Sequence, residues 1–292
     1  MKLYAPKYYR DFSCIADRCR HSCCIGWEID VDDITLEKYR SLTHPYGENI
    51  RNSIEDGHFR LADRGRCPHL DERGLCRIIC RLGEDHLCEI CREHPRFYNF
   101  TSRGCFVGLG LSCEEACRII LGSDRYSDLE IIGELDGDPE VYDFDAVAEI
   151  DKIYSILSDR KTAYSERIEA LASAYSLPAH FSAEYRGEIL SSLEYLEEDH
   201  KDLFIGSREA AFDEKNDAVF ERALACFIFR HCTAVRDASE FRAALGFSLF
   251  CENLLRALTR ECKDVHDLAR LISEELEYSE DNSESIKIEF MF

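Results

Sequence analysis

Residues 14–27 read CIADRCRHSCCIGW, and the four cysteines in this stretch decide how the rest of the chain is interpreted. The adjacent Cys23 and Cys24 rarely form a relaxed disulfide with each other, because the required geometry strains the peptide between them. Two thiolates that leave one turn in different directions can instead bind one metal cluster or two neighbouring sites. Gly26 lets the backbone approach a bulky inorganic centre, and Trp27 can shield that centre from water. The stretch predicts an irregular, metal-binding segment.

Three further cysteine blocks follow before residue 118. Cys88 and Cys91 have the C-x2-C spacing of a metal-binding knuckle. Cys113 begins a predicted helix, whose dipole favours the thiolate form. Four blocks together supply nine candidate metal ligands: Cys14, Cys19, Cys23, Cys24, Cys67, Cys76, Cys88, Cys91 and Cys113. Nine candidates exceed the four ligands of one structural zinc, and the spacing leaves iron and zinc both open.

Seven other cysteines are interpreted as structural. Cys80, Cys105 and Cys117 are expected to be small buried hydrophobes, although Cys80 and Cys117 each follow another cysteine by four residues and could neighbour a ligand. Four more fall at core-like positions of predicted helices: Cys226, Cys232, Cys251 and Cys262. Four histidines beside cysteines are either ligands, proton shuttles or ordinary loop residues: His21, His69, His86 and His94.

Composition limits the cellular compartments and the classes of binding partner that the protein is expected to have. The 292 residues begin without the apolar segment of a secretion signal and contain no apolar run of about 18 residues, so we expect a cytoplasmic protein with no membrane insertion. In a reducing cytoplasm, clustered cysteines bind metal more often than they form disulfides. The net charge of −22 lies almost entirely beyond residue 120 and argues against nucleic-acid binding. The acidic surface either keeps the protein in solution or attracts a lysine-bearing partner or cationic ligand.

The predicted fold is mainly α, with an irregular cysteine-rich metal-binding N-terminal lobe packed on an α-helical bundle. We place the cysteine-rich domain at 1–122, a linker or surface excursion at 123–144, and an acidic helical domain at 145–292. A helix is expected from Asp33 to Ser41, capped by Asp32 or Asp33, and another from about Cys113 to Leu121, capped by Ser112. Apolar periodicity predicts six helices in the acidic domain: Ala146–Leu157, Ala163–Tyr175, Ala183–Glu197, Ala218–His231, Ala238–Leu258 and Val265–Tyr278. We expect a loose tail at Ser279–Ser285 and a terminal strand or docking segment at Ile286–Phe292.

At its cysteine blocks the sequence resembles the flagellin lysine-N-methylases, which share a zinc- or iron-chelating cysteine cluster with other bacterial proteins. Four stretches carry the resemblance: Phe12–Trp27, Cys67–Ile78, Leu82–Arg96 and Leu111–Ala116. A supporting match continues at Cys226–His231. The cluster cysteines of the family correspond to the nine candidates above, whereas Cys80, Cys105 and Cys117 are additions to the pattern.

The resemblance implies methyl transfer from S-adenosylmethionine to surface lysines of flagellin, with a 4Fe-4S cluster needed for activity. It does not identify which four cysteines hold iron, and the sequence indicates neither the S-adenosylmethionine pocket nor a catalytic base. A non-catalytic or redox-sensing protein that shares only the cysteine domain is the alternative, and a zinc-stabilised interaction module is a third. The sequence contains no nucleotide-binding fingerprint, P-loop or G-x-S-x-G elbow.

Overall fold

The computed structural model describes residues 1–139, 141–260 and 264–291. The chain divides into two compact units, one comprising Ser13–Pro95 and the other Met1–Phe12 with Arg96–Phe292. We call these the cysteine unit and the helical unit. The expected boundary at residue 122 differs from this division, because residues 96–122 form two strands and a helix that belong to the helical unit.

The described residues are mainly helical, as predicted, and also include a small mixed sheet. The helices are α1 (Asp33–Ser41), α2 (Gly47–Asn52), α3 (Arg77–Leu82), α4 (Glu89–Glu93), α5 (Glu114–Gly122), α6 (Ala146–Leu157), α7 (Tyr164–Ala174), α8 (Ala183–Ser191), α9 (Glu198–Ile205), α10 (Asp217–Cys232), α11 (Ala238–Thr259), α12 (Val265–Ile272) and α13 (Glu280–Ile288). The strands are β1 (Lys2–Pro6), β2 (Ile54–Glu55), β3 (His58–Phe59), β4 (Arg96–Thr101), β5 (Gly104–Leu109) and β6 (Leu129–Glu134). No helix in the described ranges is long and apolar enough to cross a membrane.

The sheet of the helical unit has the order β4-β5-β1-β6. Strand β1 runs parallel to β5 and antiparallel to β6. Strand β6 lies within the segment expected to be a linker or excursion, so part of 123–144 is sheet. The sequence of this segment is acidic and contains glycine, so it did not indicate a strand. The strand is stabilised by its pairing with β1.

The core of the helical unit is built on α10 and α11, which pack against each other and are buried over most of their length. Helix α6 has the predicted bounds, and the predicted helix from Ala183 ends early, at Ser191. The chain leaves the helix there because distant side chains bind its backbone: Asn282 hydrogen-bonds the amide and carbonyl of Glu194, and Glu275 accepts from the amide of Leu196.

Two further local predictions differ from the structure. Helix α13 replaces the expected loose tail and the first residues of the expected terminal strand, because the Ser279 hydroxyl caps the helix by accepting from the amide of Asn282 and because Asn282 and Ser283 are buried. The alternative of a docking segment agrees with Phe290, which is buried against Gly246, and Phe292 lies outside the described residues. Helix α5 is capped one residue later than expected, with Cys113 rather than Ser112 in the N-cap position.

The cysteine unit folds around its own small core, which includes Tyr39, Ile50, Phe59 and Ile78. Asp32 caps α1 as predicted, accepting from the amide of Thr35. The other helices of the unit are short, and turns and loops connect them. This part of the chain is irregular, as predicted, because turns and loops connect its short elements. It nevertheless has a hydrophobic core of its own.

Candidate metal centre

Backbone pairing joins the first two cysteine blocks. The amide of Cys67 donates to the carbonyl of Cys24 over 2.8 Å. The segment after Cys67 then turns back, because the Asp71 carboxylate accepts from the amides of Arg73 (2.8 Å) and Leu75 (2.9 Å). Gly74 adopts a φ of +80° in this turn, a conformation that costs glycine little. The turn brings Leu70 opposite Cys76, so Cys67 and Cys76 lie near the two ends of one tight loop.

The third block is positioned by α1 and α4. Cys88 is the N-cap residue of α4, and Cys91 lies within that helix. The Asp32 carboxylate accepts from the amide of Glu89 over 2.8 Å while it also caps α1. The Tyr39 hydroxyl donates to the His86 carbonyl over 2.6 Å. Asp32 and Tyr39 therefore attach the start of α4 to α1, and both lie within electrostatic reach of Cys88.

Five thiols of the cysteine unit lie within electrostatic reach of one another: Cys24, Cys67, Cys76, Cys88 and Cys91. Burial raises the pKa of Cys67 to about 12 and also raises the pKa of Cys76. A hydrogen bond with Cys23 lowers the pKa of Cys24 to about 7, helped by Ser22 and the Arg66 guanidinium. Cys24 is thus prepared to be a thiolate near neutral pH, and thiolate is the form that binds metals.

Cys88 and Cys91 form a second hydrogen-bonded thiol pair. Their hydrogen bond lowers the pKa of Cys88 and raises that of Cys91 well above its usual value. The centre therefore combines two hydrogen-bonded thiol pairs, Cys23–Cys24 and Cys88–Cys91, with the buried Cys67 and the partly buried Cys76.

The donor set fits a thiolate-bound metal in its chemistry. Soft thiolate ligands select zinc and iron–sulfur clusters, each of which takes four protein ligands, and five thiols are present. In the described ranges no three His, Cys, Asp or Glu side chains already lie in a metal-holding arrangement. Loading the centre therefore requires the paired thiols to lose their shared protons and turn toward a common ion.

The remaining candidate ligands are placed differently. Cys14 and Cys23 are exposed, and the Cys19 thiol donates to the His21 carbonyl over 3.2 Å. Cys113 precedes α5 and belongs to the helical unit, not to the cysteine unit. Of the nine candidates, five are brought together and Cys23 joins them through its hydrogen bond to Cys24.

The cysteines interpreted as structural are mostly buried, as predicted. Cys105 and Cys117 are buried, and so are the three described cysteines of α10 and α11: Cys226, Cys232 and Cys251. The prediction for Cys80 was wrong, because this residue is exposed, on the outer side of the short helix α3. Cys262 lies outside the described residues.

His69 is a structural residue of the cysteine unit. Its Nδ1 is hydrogen-bonded to the Tyr46 hydroxyl (2.8 Å) and its Nε2 to the Ser53 hydroxyl (2.9 Å), so neither ring nitrogen is left for a metal. Burial lowers the pKa of His69 to about 4. Sequence reasoning missed Arg66 and Tyr39 as neighbours of the thiols, since neither lies in a motif. The sequence identified Asp32 as a helix cap, but it did not indicate the hydrogen bond that Asp32 accepts from the amide of Glu89.

Fold and site together define a class: a mainly helical protein with a separate unit that carries five interacting thiols. The chain is 32% identical over 126 residues to proteins named Lysine-N-methylase from Salmonella choleraesuis and Salmonella typhimurium, a match covering 40% of this chain and 31% of each relative. It is equally identical over 126 residues to a protein named Flagellar biosynthetic protein FliU from Salmonella muenchen, covering 75% of that relative. The chain belongs to this lysine-N-methylase and FliU family.

The match spans about a third of the length of the relatives named Lysine-N-methylase. No family model matches the sequence, and no solved structure matches it.

Proposed function

We propose that this chain is an S-adenosylmethionine-dependent protein lysine N-methyltransferase that acts on flagellin and carries an iron–sulfur cluster in its cysteine unit. Membership of the lysine-N-methylase and FliU family carries the proposal. The five interacting thiols support its cofactor part, and a reducing cytoplasm is the compartment in which such clustered thiols bind metal.

Four of five thiols would hold the cluster: Cys24, Cys67, Cys76, Cys88 and Cys91. A bound 4Fe-4S cluster would supply a redox-active inorganic centre whose potential depends on burial and on hydrogen bonds to its sulfurs. Burial of Cys67 and Cys88 favours a centre shielded from water. A single zinc ion held by four of the same thiols is the alternative occupant.

Methyl transfer to lysine makes two physical demands on the protein. The ε-ammonium must lose its proton before the nitrogen lone pair can attack, because the unperturbed pKa of lysine is about 10.4. The methyl sulfonium donor and the ammonium are both cations, so the site must tolerate positive charge. The acidic composition of the chain beyond residue 120 is compatible with both substrates.

A second candidate function is redox sensing, and one observation favours it. Cys88 and Cys91 form a C-x2-C pair at the start of a helix with a lowered pKa on the first thiol, which is the arrangement of reactive dithiols. In that function an oxidant such as a peroxide would accept two electrons from the pair, which would become a disulfide, and no methyl group would be transferred.

The test uses flagellin as the reporter. Flagellin from a strain lacking this gene is compared by mass spectrometry with flagellin from the same strain complemented with the wild-type gene or with Cys88→Ala. We expect lysine methylation with the wild-type gene only. Unchanged lysine methylation in the deleted strain would remove the methyltransferase proposal and leave redox sensing.

A further inference from the structure

The helical unit contains a cavity of about 470 Å³ that the proposed function does not yet use. Strand β4 contributes Phe97 and Asn99 to its wall, and the end of α10 contributes Arg230 and His231. Glu277 also lines it and lies in a π-helical turn that covers Ser273–Glu277. Single π-helical turns are rare and are found frequently at functional sites.

A buried carboxylate–imidazole pair is part of the lining of this cavity. The Glu277 side chain is fully buried and that of His231 is 9% exposed, and His231 Nε2 lies 2.8 Å from Glu277 Oε1. With Nε2–H donating to the carboxylate, Nδ1 is the basic nitrogen of the ring. Nδ1 has no hydrogen-bond partner among the described residues. His231 lines the cavity, and Nδ1 is the ring nitrogen that Glu277 does not occupy.

The groups around His231 keep it neutral and orient it. Burial, together with the charges of Arg230 and Lys287, lowers its pKa, whereas Glu277 acts in the opposite direction. The Phe247 ring contacts the imidazole with centroids 4.5 Å apart. Arg230 is held over the Tyr278 ring at 4.3 Å and lies 3.8 Å from Glu277. Against the effect of burial, the Arg230 charge and the hydrogen bonds of His231 and Ser273 hold the pKa of Glu277 below its usual value, so the carboxylate is ionised.

The close approach of Arg230 and Tyr278 depends on Gly110. A Cβ at position 110 would collide with the Tyr278 hydroxyl and lie 2.9 Å from Arg230 Nη1. Arg230, which lines the cavity, is therefore closely packed on its Gly110 side.

The charge of the lining favours a cationic ligand. Glu277 balances Arg230, and Glu284 lies 2.7 Å from Lys287. Glu280, an exposed lining residue, makes no ion pair among the described residues and adds one uncompensated negative charge at the rim. Phe97 adds an aromatic ring to the lining, and the Arg230 guanidinium lies over that ring at 5.4 Å.

We propose that this cavity binds the ε-amine of the substrate lysine and that His231 is the base that removes its proton. The inference rests on the proposed function and assigns its amine site. Glu277 is a positioning residue, which holds the imidazole in the required tautomer and stabilises the imidazolium once it forms.

The step balances in charge and electrons. His231 Nδ1 takes one proton from the ε-ammonium, giving an imidazolium and a neutral amine. The amine lone pair forms the new N–CH3 bond as the C–S bond of the methyl sulfonium donor breaks, and that electron pair stays on sulfur. The products are a methylated ammonium and a neutral thioether, and the imidazolium releases its proton to solvent.

The experiment measures methylation of purified flagellin by anaerobically purified full-length protein across a pH series. His231→Gln is expected to lower kcat by about 100-fold or more, the usual contribution of a general base. Glu280→Gln, an exposed change that preserves folding, is expected to raise KM several-fold with little change in kcat. Glu277→Gln is expected to move the acid limb of the rate profile to lower pH, because the imidazole loses its anionic partner.

The matched control is His200→Gln. His200 belongs to the same unit and is likewise hydrogen-bonded to a buried carboxylate, with Nδ1 2.5 Å from Glu275 Oε1, but it does not line the cavity. We expect this variant to keep kcat within about threefold of wild type, well short of the loss expected for a base. A His231→Gln enzyme within threefold of wild type, an equal loss in both histidine variants, or an unchanged KM in Glu280→Gln would overturn the inference. Wild-type protein that methylates no flagellin would instead count against the proposed function.

Discussion

The amide of Cys67 donates to the carbonyl of Cys24 over 2.8 Å, which joins two cysteine blocks that lie 43 residues apart in the sequence. This bond belongs to the backbone, so it holds the blocks together whatever the protonation state of the thiols. It also explains why buried Cys67 and the more acidic Cys24 interact electrostatically. The backbone of the cysteine unit therefore brings these two cysteine blocks side by side.

Metal content should depend on the five clustered thiols and not on other buried cysteines. Cys67→Ala removes a candidate ligand and is expected to weaken metal binding at least about tenfold, since even changes outside the ligand shell cost that much. Cys105→Ala is the matched control, because Cys105 is also buried but lies in β5 of the helical unit. Metal analysis after dialysis against a chelator measures the effect. Equal metal retention in the two variants would contradict the ligand set.

Glu221 is expected to be a large contributor to the stability of the helical unit. Its buried carboxylate lies 2.5 Å from Arg160, 2.6 Å from Arg167 and 2.6 Å from the Tyr126 hydroxyl. Glu221→Gln leaves a buried guanidinium without its counter-charge and should lower the free energy of unfolding by about 3–5 kcal/mol, measured by urea denaturation. Asp128→Asn, which breaks the exposed pair with Lys7, should cost under about 1 kcal/mol. Equal losses of unfolding free energy in the two variants would contradict the larger contribution expected of the buried Glu221 network.

Replacing either of two helical glycines with alanine should change the stability of the protein, but in opposite directions. Gly246 in α11 faces Phe290, whose ring a Cβ would strike, so Gly246→Ala should destabilise the protein by about 1–3 kcal/mol. Gly187 in α8 has room, since a Cβ would lie 4.0 Å from the Ile205 carbonyl. Gly187→Ala should stabilise it by about 0.5–1 kcal/mol through helix propensity. Thermal melting of both variants compares the two effects, and a shift of the same sign in both would refute the packing at Gly246.

The His200–Glu275 pair should make stability fall as pH rises. Its hydrogen bond to the buried carboxylate raises the pKa of His200 above the usual value of 6.5. A raised folded-state pKa gives stabilisation that is fully present below the unfolded pKa and is lost as pH rises through the folded pKa. Wild type should therefore lose more stability than His200→Gln as pH rises from about 6.5, the usual pKa of histidine, through the raised folded-state pKa. Parallel melting curves for both proteins across this range would contradict the assignment.

Helices with strong apolar periodicity could be predicted from the sequence. Residues Ala146–Leu157 form α6 as expected, and α11 differs from its predicted bounds by one residue at its end. The sheet could not be predicted, because β1 and β6 are short and their pairing partners lie more than a hundred residues away. The terminal helix α13 was missed because its polar sequence is stabilised by burial of Asn282 rather than by its own pattern.

For the candidate site, spacing identified the cysteine blocks but not their grouping. The separation of Cys113 from the cysteine unit depends on strands β4 and β5, which no cysteine spacing reveals. The exposure of Cys80 depends on which side of the short helix α3 meets the core. The pair His231–Glu277 joins residues 46 positions apart on different helical segments, and no local motif marks it.

The central claim is that the clustered thiols of the cysteine unit hold an iron–sulfur cluster, and its most direct test is the iron and acid-labile sulfide content of anaerobically purified protein. We predict about four iron and four sulfide per chain, the content of one 4Fe-4S cluster, with a matching visible absorption band and a reduced-state EPR signal. A colourless protein with about one zinc per chain and no sulfide would contradict the claim.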